Sequence, residues 1–458
     1  MNAKQVLLAV CLAATFGGEA ALTVNFGSEV GKVNPKLHSA HYAPPFYRRS
    51  FINIDNDLKS LNLYASRTHD WALFNGGSRI VDTHFVFPLL KRDPSDPAAY
   101  NFAATDEAIR LTRNCGMEIL YRFGPSIERT GSSVAHSNIV APKYDGSYAR
   151  YADACSHIVS HYNEGWANGY EWNIPYWEIW NEPDYKNYMW TTSEDEFANL
   201  FATVLAKVKA DHPNVKVGGP AMTAWGSNKT NFFHNIIAKC KTKGVLPDFI
   251  SWHYYGEGVD GLASQPEAAR KWLDARGCQN TEIIIDEWHY DGNDAGGTWG
   301  LKAAIFNTAV LSRFQYTPLD LAFNYGIGYE GMWGLTDNCA GWNKTFYSLK
   351  MFGQVVAGYT HLVTVKNESG VHLLGALSED KTKGCILVSD YTASKTTLSV
   401  TVSGVSALSN ISCQVLDASN NLATKNSAVT FSGSTLTITK PKSNDYGAYL
   451  VTFTPTLK

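Results

Sequence analysis

Residues 176–184 read Tyr-Trp-Glu-Ile-Trp-Asn-Glu-Pro-Asp. The run is aromatic and apolar, with strand character, until it reaches Asn181-Glu182-Pro183. Proline has no N–H to give a ladder, so Pro183 cannot continue a central strand. The stretch therefore predicts a buried strand with Glu182 at its end. In a β/α barrel the C-terminal strand ends form the face where functional groups gather.

Outward from this stretch, strand-like and helix-like segments alternate from residue 37 to 358, which predicts βα units and a parallel sheet. Eight strands are expected, at 37–42, 65–68, 117–122, 176–180, 215–218, 249–253, 282–286 and 320–324. Eight such units predict an α/β fold, a (β/α)8 TIM barrel over 37–358. Ser193-Glu194-Asp195-Glu196 has the form of a capping box. After it, Phe197, Leu200, Phe201, Val204, Leu205 and Val208 recur at the spacing of one buried helix face. From 359 to 458 the texture changes to β-branched runs separated by Ser, Asn and Gly, which predicts a smaller antiparallel β-sandwich. The segment 21–36 holds a short strand expected to pair with that domain.

Composition narrows the function. The chain has 458 residues, 45% of them hydrophobic and 18% charged, so it can bury a large core. A net charge of −3 leaves no polycationic surface for nucleic acid or an anionic membrane. Thirteen Trp and 24 Tyr can fill cores or offer flat platforms to sugar rings. Residues 1–20 have the form of a signal peptide: Lys4, an apolar run over 6–16, then small residues. That run is shorter than the ~20 residues a bilayer takes, so the expectation is a secreted protein, extracellular or periplasmic, with no membrane span. Of eight cysteines, one lies in the leader and none forms a CxxC pair, so no zinc or redox site and no cofactor is expected. Disulfides are expected at Cys240–Cys278 and Cys385–Cys413.

A second acid follows the same pattern. Residues 281–290 read Thr-Glu-Ile-Ile-Ile-Asp-Glu-Trp-His-Tyr, a β-branched strand ending at Glu287. With eight strands, Glu182 ends the fourth and Glu287 the seventh, and both side chains converge on the barrel top. A single glutamate of this kind is as readily a salt-bridged strand end. Two of them facing one sugar ring are what glycoside hydrolysis needs.

Trp180-Asn181-Glu182-Pro183 and Asp286-Glu287-Trp288 resemble the motifs of retaining, clan A glycoside hydrolases. With Arg67-Thr68-His69-Asp70, Tyr100-Asn101-Phe102 and Ser251-Trp252-His253-Tyr254-Tyr255, the chain more narrowly resembles glycoside hydrolase family 39, of β-xylosidases and α-L-iduronidases. The resemblance implies Glu182 as acid/base, Glu287 as nucleophile, net retention, and Asn181 at the sugar 2-hydroxyl. Arg67 is expected to hold Glu287 ionised, because its guanidinium is always charged and can grip a carboxylate. Tyr255 or Tyr254 is a second donor. His69 and His253 are candidates for binding sugar hydroxyls or for supporting the glutamates, and His41 for lining the pocket, with Trp333 as a floor for the ring and no metal expected. Tyr254 and Tyr255 stand where an iduronidase looks more basic, which favours a neutral sugar. Arg122 stays open between a barrel ion pair and a subsite for an acidic sugar. The expected activity is exo-acting and β-xylosidase-like on an oligo- or polysaccharide. Arabinosidase, galactosidase, glucosidase or endo-glycanase specificity, or a non-catalytic carbohydrate-binding barrel, are the alternatives.

Overall fold

A computed structural model describes residues 21–42, 54–71, 79–126, 141–186, 188–226, 229–293, 296–327, 334–336, 341–440 and 445–458. The expected signal peptide, 1–20, and Trp333 lie outside the described residues. The first strand, β1 (Leu22–Lys32), belongs to the second sheet. Eight strands then close a parallel barrel: β2 (Ser39–His41), β3 (Ala65–Arg67), β4 (Glu118–Phe123), β5 (Tyr176–Ile179), β6 (Lys216–Met222), β7 (Phe249–Gly256), β8 (Glu282–Tyr290) and β9 (Leu321–Asn324). All eight fall where the alternation of segments puts them. The helix Glu194–Asp211 shows the local logic: Ser193 Oγ accepts from Glu196 N–H at 3.2 Å, and the six apolar residues of its expected face are buried.

Inside the barrel, side chains alternate in and out. Ala65, Leu120, Tyr176, Phe249, Ile284, Leu321 and Phe323 fill the lower interior with apolar volume. Two residues further along four of these strands stand Arg67, Arg122, Glu178 and Asp286, all fully buried. The interior thus passes from an apolar plug to an ionic layer in one step of the strand repeat. Buried charges persist only when paired, so this layer has to be a network.

The remaining strands are β10 (His361–Lys366), β11 (Val371–Leu377), β12 (Gly384–Asp390), β13 (Thr397–Ser403), β14 (Val405–Leu416), β15 (Asn421–Thr424), β16 (Val429–Ser432), β17 (Thr435–Thr439) and β18 (Gly447–Leu457). They form one ten-stranded sheet in the order β15-β14-β18-β12-β11-β10-β1-β13-β17-β16, around a core of its own. Its pairs are antiparallel except that β1 runs parallel to β13. The barrel helix Leu301–Phe314 packs on β11, β12 and β18, and Ser389 Oγ donates to Thr308 Oγ1 at 2.9 Å across the contact.

The expected disulfides are absent. Among the described residues Cys155, Cys240, Cys278, Cys385 and Cys413 are buried free thiols. Cys385 and Cys413 lie on strands separated by β18, and in opposite cores: Cys385 joins the barrel-side cluster, Cys413 the cluster inside the sheet domain. A pleated sheet places such side chains on opposite faces, so no bond can bridge them. Cys240 and Cys278 are neighbours at the barrel bottom, as expected, but unbonded.

Candidate active site

The site is built where β3, β5, β7 and β8 end. The backbone leaves β5 in an unusual way: Trp180 has φ 82° and Glu182 φ 44°, and on neighbouring strand ends Tyr42, Asp70 and Ala221 also have positive φ. Left-handed conformations cost non-glycine residues about 1–3 kcal/mol each and collect at functional sites. Here they are locked from several sides. The Trp180 indole is buried, donates to Met189 O at 2.8 Å, and leans on Gly124, where an added Cβ would lie 3.0 Å from its ring. Gly124 itself has φ +116°, so it is glycine on both counts. Glu182 N–H donates to Ala221 O at 2.8 Å. These contacts fix the direction in which Asn181 and Glu182 project.

Arg67 is the hub of the ionic layer. Its Nε donates to Glu178 at 2.5 Å, its Nη1 to Glu287 Oε1 at 2.8 Å and its Nη2 to Asn181 Oδ1 at 2.8 Å. Asp286 lies 3.3 Å from the same Nη2. Ser251 Oγ donates to Glu178 at 2.7 Å. One cation thus meets three buried carboxyl groups. Burial, and then repulsion by Glu178, push Asp286 well above the usual carboxylate range. Glu287 has a second donor, Tyr255 Oη, at 2.7 Å. His253 Nδ1 stands 2.8 Å from Glu182 Oε1 and 3.3 Å from Glu287 Oε2, so it bridges the two acids. Burial keeps this imidazole below its ordinary pKa, hence neutral.

The two glutamates differ. Burial, with Asp184 and Asp70 adding repulsion, raises Glu182 to about 8. Burial also raises Glu287, to about 7, while His253 and Arg67 oppose it. The order follows the neighbours, since Arg67 touches Glu287 directly. Their facing oxygens lie within 4.8 Å of one another, with His253 Nδ1 inside the same span. That spacing could also suit a metal ion, and it is the only such group among the described residues. The Arg67 guanidinium already supplies positive charge to Glu287 at 2.8 Å.

A cavity of about 190 Å³ opens above the pair, lined by His69, Asp70, Asn181, Glu182, Tyr255, Glu287 and Tyr325. The expected residues Glu182, Glu287, Asn181, His69 and Tyr255 therefore meet in one place. Arg67, His253 and His41 are fully buried and do not line the cavity; Arg67 holds Glu287, as expected of it, and His253 contacts both glutamates, one of the two roles open to it. His41 Nε2 donates to the main-chain oxygen of Asp286 at 2.9 Å, which steadies the strand end before Glu287. Arg122 resolves as a barrel ion pair: Nη2 donates to Asp82 at 2.9 Å, both side chains are fully buried, and neither lines the cavity. Residues the sequence reading passed over are Tyr325, which donates to Asp70 at 3.0 Å, and Glu178 and Asp286. The signal for Glu178 was present: a charge in the middle of an aromatic strand has to meet a partner inside.

The closed parallel barrel, with carboxyl groups paired at the ends of its fourth and seventh strands, is a fold shared with glycosidases of solved structure. A glucosidase from Croceicoccus marinus aligns over 95% of this chain and 99% of its own, with TM-score 0.75 and 21% identity. A bifunctional glucanase-xylanase from a metagenome library gives TM-score 0.65 at 16% identity, covering 96% of this chain and 99% of its own. At such identities the likeness is one of fold. Residues 68–273 match the profile of glycosyl hydrolases family 39. A β-xylosidase of Caldicellulosiruptor saccharolyticus is 26% identical over 51% of this chain and 46% of its own, and one of Geobacillus stearothermophilus is 30% identical over 39% and 35%. These matches span less than half the length of either relative. The family profile covers less than half of the chain.

Proposed function

We propose that the protein is a secreted, retaining glycoside hydrolase that removes a neutral sugar from the end of an oligo- or polysaccharide, β-xylosidase-like, with Glu182 as acid/base and Glu287 as nucleophile. The observation that carries this is the pair itself. Retaining enzymes keep their carboxyl groups about 5–5.5 Å apart and inverting ones about 6.5–9.5 Å. Facing oxygens within 4.8 Å support the first.

The division of labour follows from the environments. Glu182, at about 8, holds its proton at neutral pH and gives it to the leaving oxygen. Glu287, ionised by its donors Arg67 and Tyr255, attacks the anomeric carbon from the opposite face and forms a glycosyl ester. Loss of the leaving group admits water; Glu182, now a carboxylate, takes its proton, and the ester opens with the original configuration. Asn181, oriented by Arg67, is placed for the 2-hydroxyl. His253 keeps both acids in register.

A neutral sugar suits the lining, which has three carboxyl groups and no Lys or Arg among the described residues. An anionic ring would be repelled. The cavity, about 190 Å³, is smaller than the ~300–1,000 Å³ of sites for drug-sized ligands, which favours a single ring and hence exo action. The similarity to two β-xylosidases points the same way. Residues 1–20 support secretion, tested by the N-terminal sequence of protein recovered from the medium.

The test is a panel of aryl glycosides and oligosaccharides, with the anomer of the first product followed by NMR. Glu182→Ala and Glu287→Ala should each abolish turnover, with azide restoring it to opposite anomeric products. Substantial activity in Glu287→Ala overturns the assignment of the nucleophile.

A further inference from the structure

We propose that Tyr185 and Tyr188 form a stacking platform for the sugar on the leaving-group side of the scissile bond, a second carbohydrate subsite on this chain. The inference rests on the hydrolase function proposed above and extends it beyond the cavity.

Large apolar side chains exposed on the described surface are few, and most are scattered. Tyr185 and Tyr188 are an exception: they are 41% and 38% exposed, and their rings stack on each other with centroids 4.6 Å apart and planes 14° from parallel. The pair begins three residues after Glu182. Tyr185 N–H donates to Glu182 O at 2.9 Å, so the ring hangs from the same turn as the acid/base. Tyr188 and Met189 N–H both reach Tyr185 O, at 3.3 and 3.1 Å. Behind the pair, the turn is pinned. Trp180 donates to Met189 O, Thr223 N–H donates to Asp184 at 3.1 Å, and Lys229 pairs with Asp184. The backbone therefore spends several buried contacts on holding two rings that face solvent.

Position supplies the occupant. Glu287 is the deeper acid, its side chain 6% exposed; Glu182, at 16%, forms the outer wall. The leaving oxygen has to meet Glu182, so the sugar attached to that oxygen lies outside the cavity on the Glu182 side. The turn carrying the two tyrosines is the part of the chain that continues from that wall. A pyranose presents an apolar C–H face, and a flat ring pair offers it apolar area without a charged contact. The ligand class is accordingly a neutral oligosaccharide, gripped by ring stacking at its second unit.

The experiment compares xylobiose with β-xylosyl fluoride, whose leaving group is a single atom and cannot reach the platform. For the full chain carrying Tyr185→Ala and Tyr188→Ala together, the ratio of kcat/KM for xylobiose to that for the fluoride should fall about tenfold. The paired Phe replacements, which keep the rings, should restore the ratio. Leu246→Ala, an exposed apolar residue elsewhere, controls for surface change. An unchanged ratio in the Ala pair overturns the platform. If the wild-type chain cleaves neither compound, the proposed xylosidase function fails by itself. Calorimetry of xylotriose binding to Glu287→Gln, with and without the Ala pair, then decides the platform: weaker binding supports it, and equal affinity overturns it.

Discussion

Replacing Tyr255 by Phe tests the electrostatics of the site most directly. The change removes one O–H donor, 2.7 Å from Glu287 Oε2, and keeps the ring that lines the cavity. A hydrogen bond to a buried charged group contributes about 1.5–3 kcal/mol, and one pKa unit corresponds to about 1.36 kcal/mol. The donor favours the ionised form, so its loss raises the pKa of Glu287, by roughly one to two units on those figures. Glu287 starts at about 7. At pH 7 its ionised fraction should drop from about a half to between about a tenth and a hundredth, cutting kcat/KM roughly 5- to 50-fold. The assay is kcat/KM against pH on an aryl glycoside, with near-ultraviolet circular dichroism to confirm the fold. The acid limb should move up towards the basic limb set by Glu182, and the bell should narrow and fall. An acid limb that stays in place while turnover persists refutes the assignment of Glu287 as the group that must be ionised.

Asp184→Asn should move the other limb. Asp184 is the chief charged neighbour raising Glu182, so its neutralisation should lower the basic limb from about 8. A basic limb that rises would contradict that electrostatic account. Arg67→Met leaves Glu178 and Glu287 buried without their cation, and should destabilise the fold by about 3–5 kcal/mol in urea unfolding; a loss under ~1 kcal/mol would show that Arg67 is no hub. Thiol titration in denaturant without reductant should count at least Cys155, Cys240, Cys278, Cys385 and Cys413, and fewer than five thiols would show that some are paired.

The barrel was legible because its signals are local. A strand that runs apolar and then stops at Asn-Glu-Pro, or at Asp-Glu-Trp, announces its own end, and eight such units leave little choice of fold. Glu182 and Glu287 could be picked out as candidates for the same reason, whereas Asn181 was implied by the resemblance of its motif. Tertiary structure alone decided what each side chain faces. His41, Arg67 and His253 stand at strand ends in the sequence, and closure of the barrel decides that they are buried, where one guanidinium has to serve three carboxyls. Cys385 and Cys413 seemed partners by nearness in sequence, until the strand order put β18 between them and the pleat set them on opposite faces. Strand ends and periodicity are properties of a few successive residues. Pairing across a closed barrel depends on register between segments far apart in the chain, and that is fixed only when the whole sheet has closed.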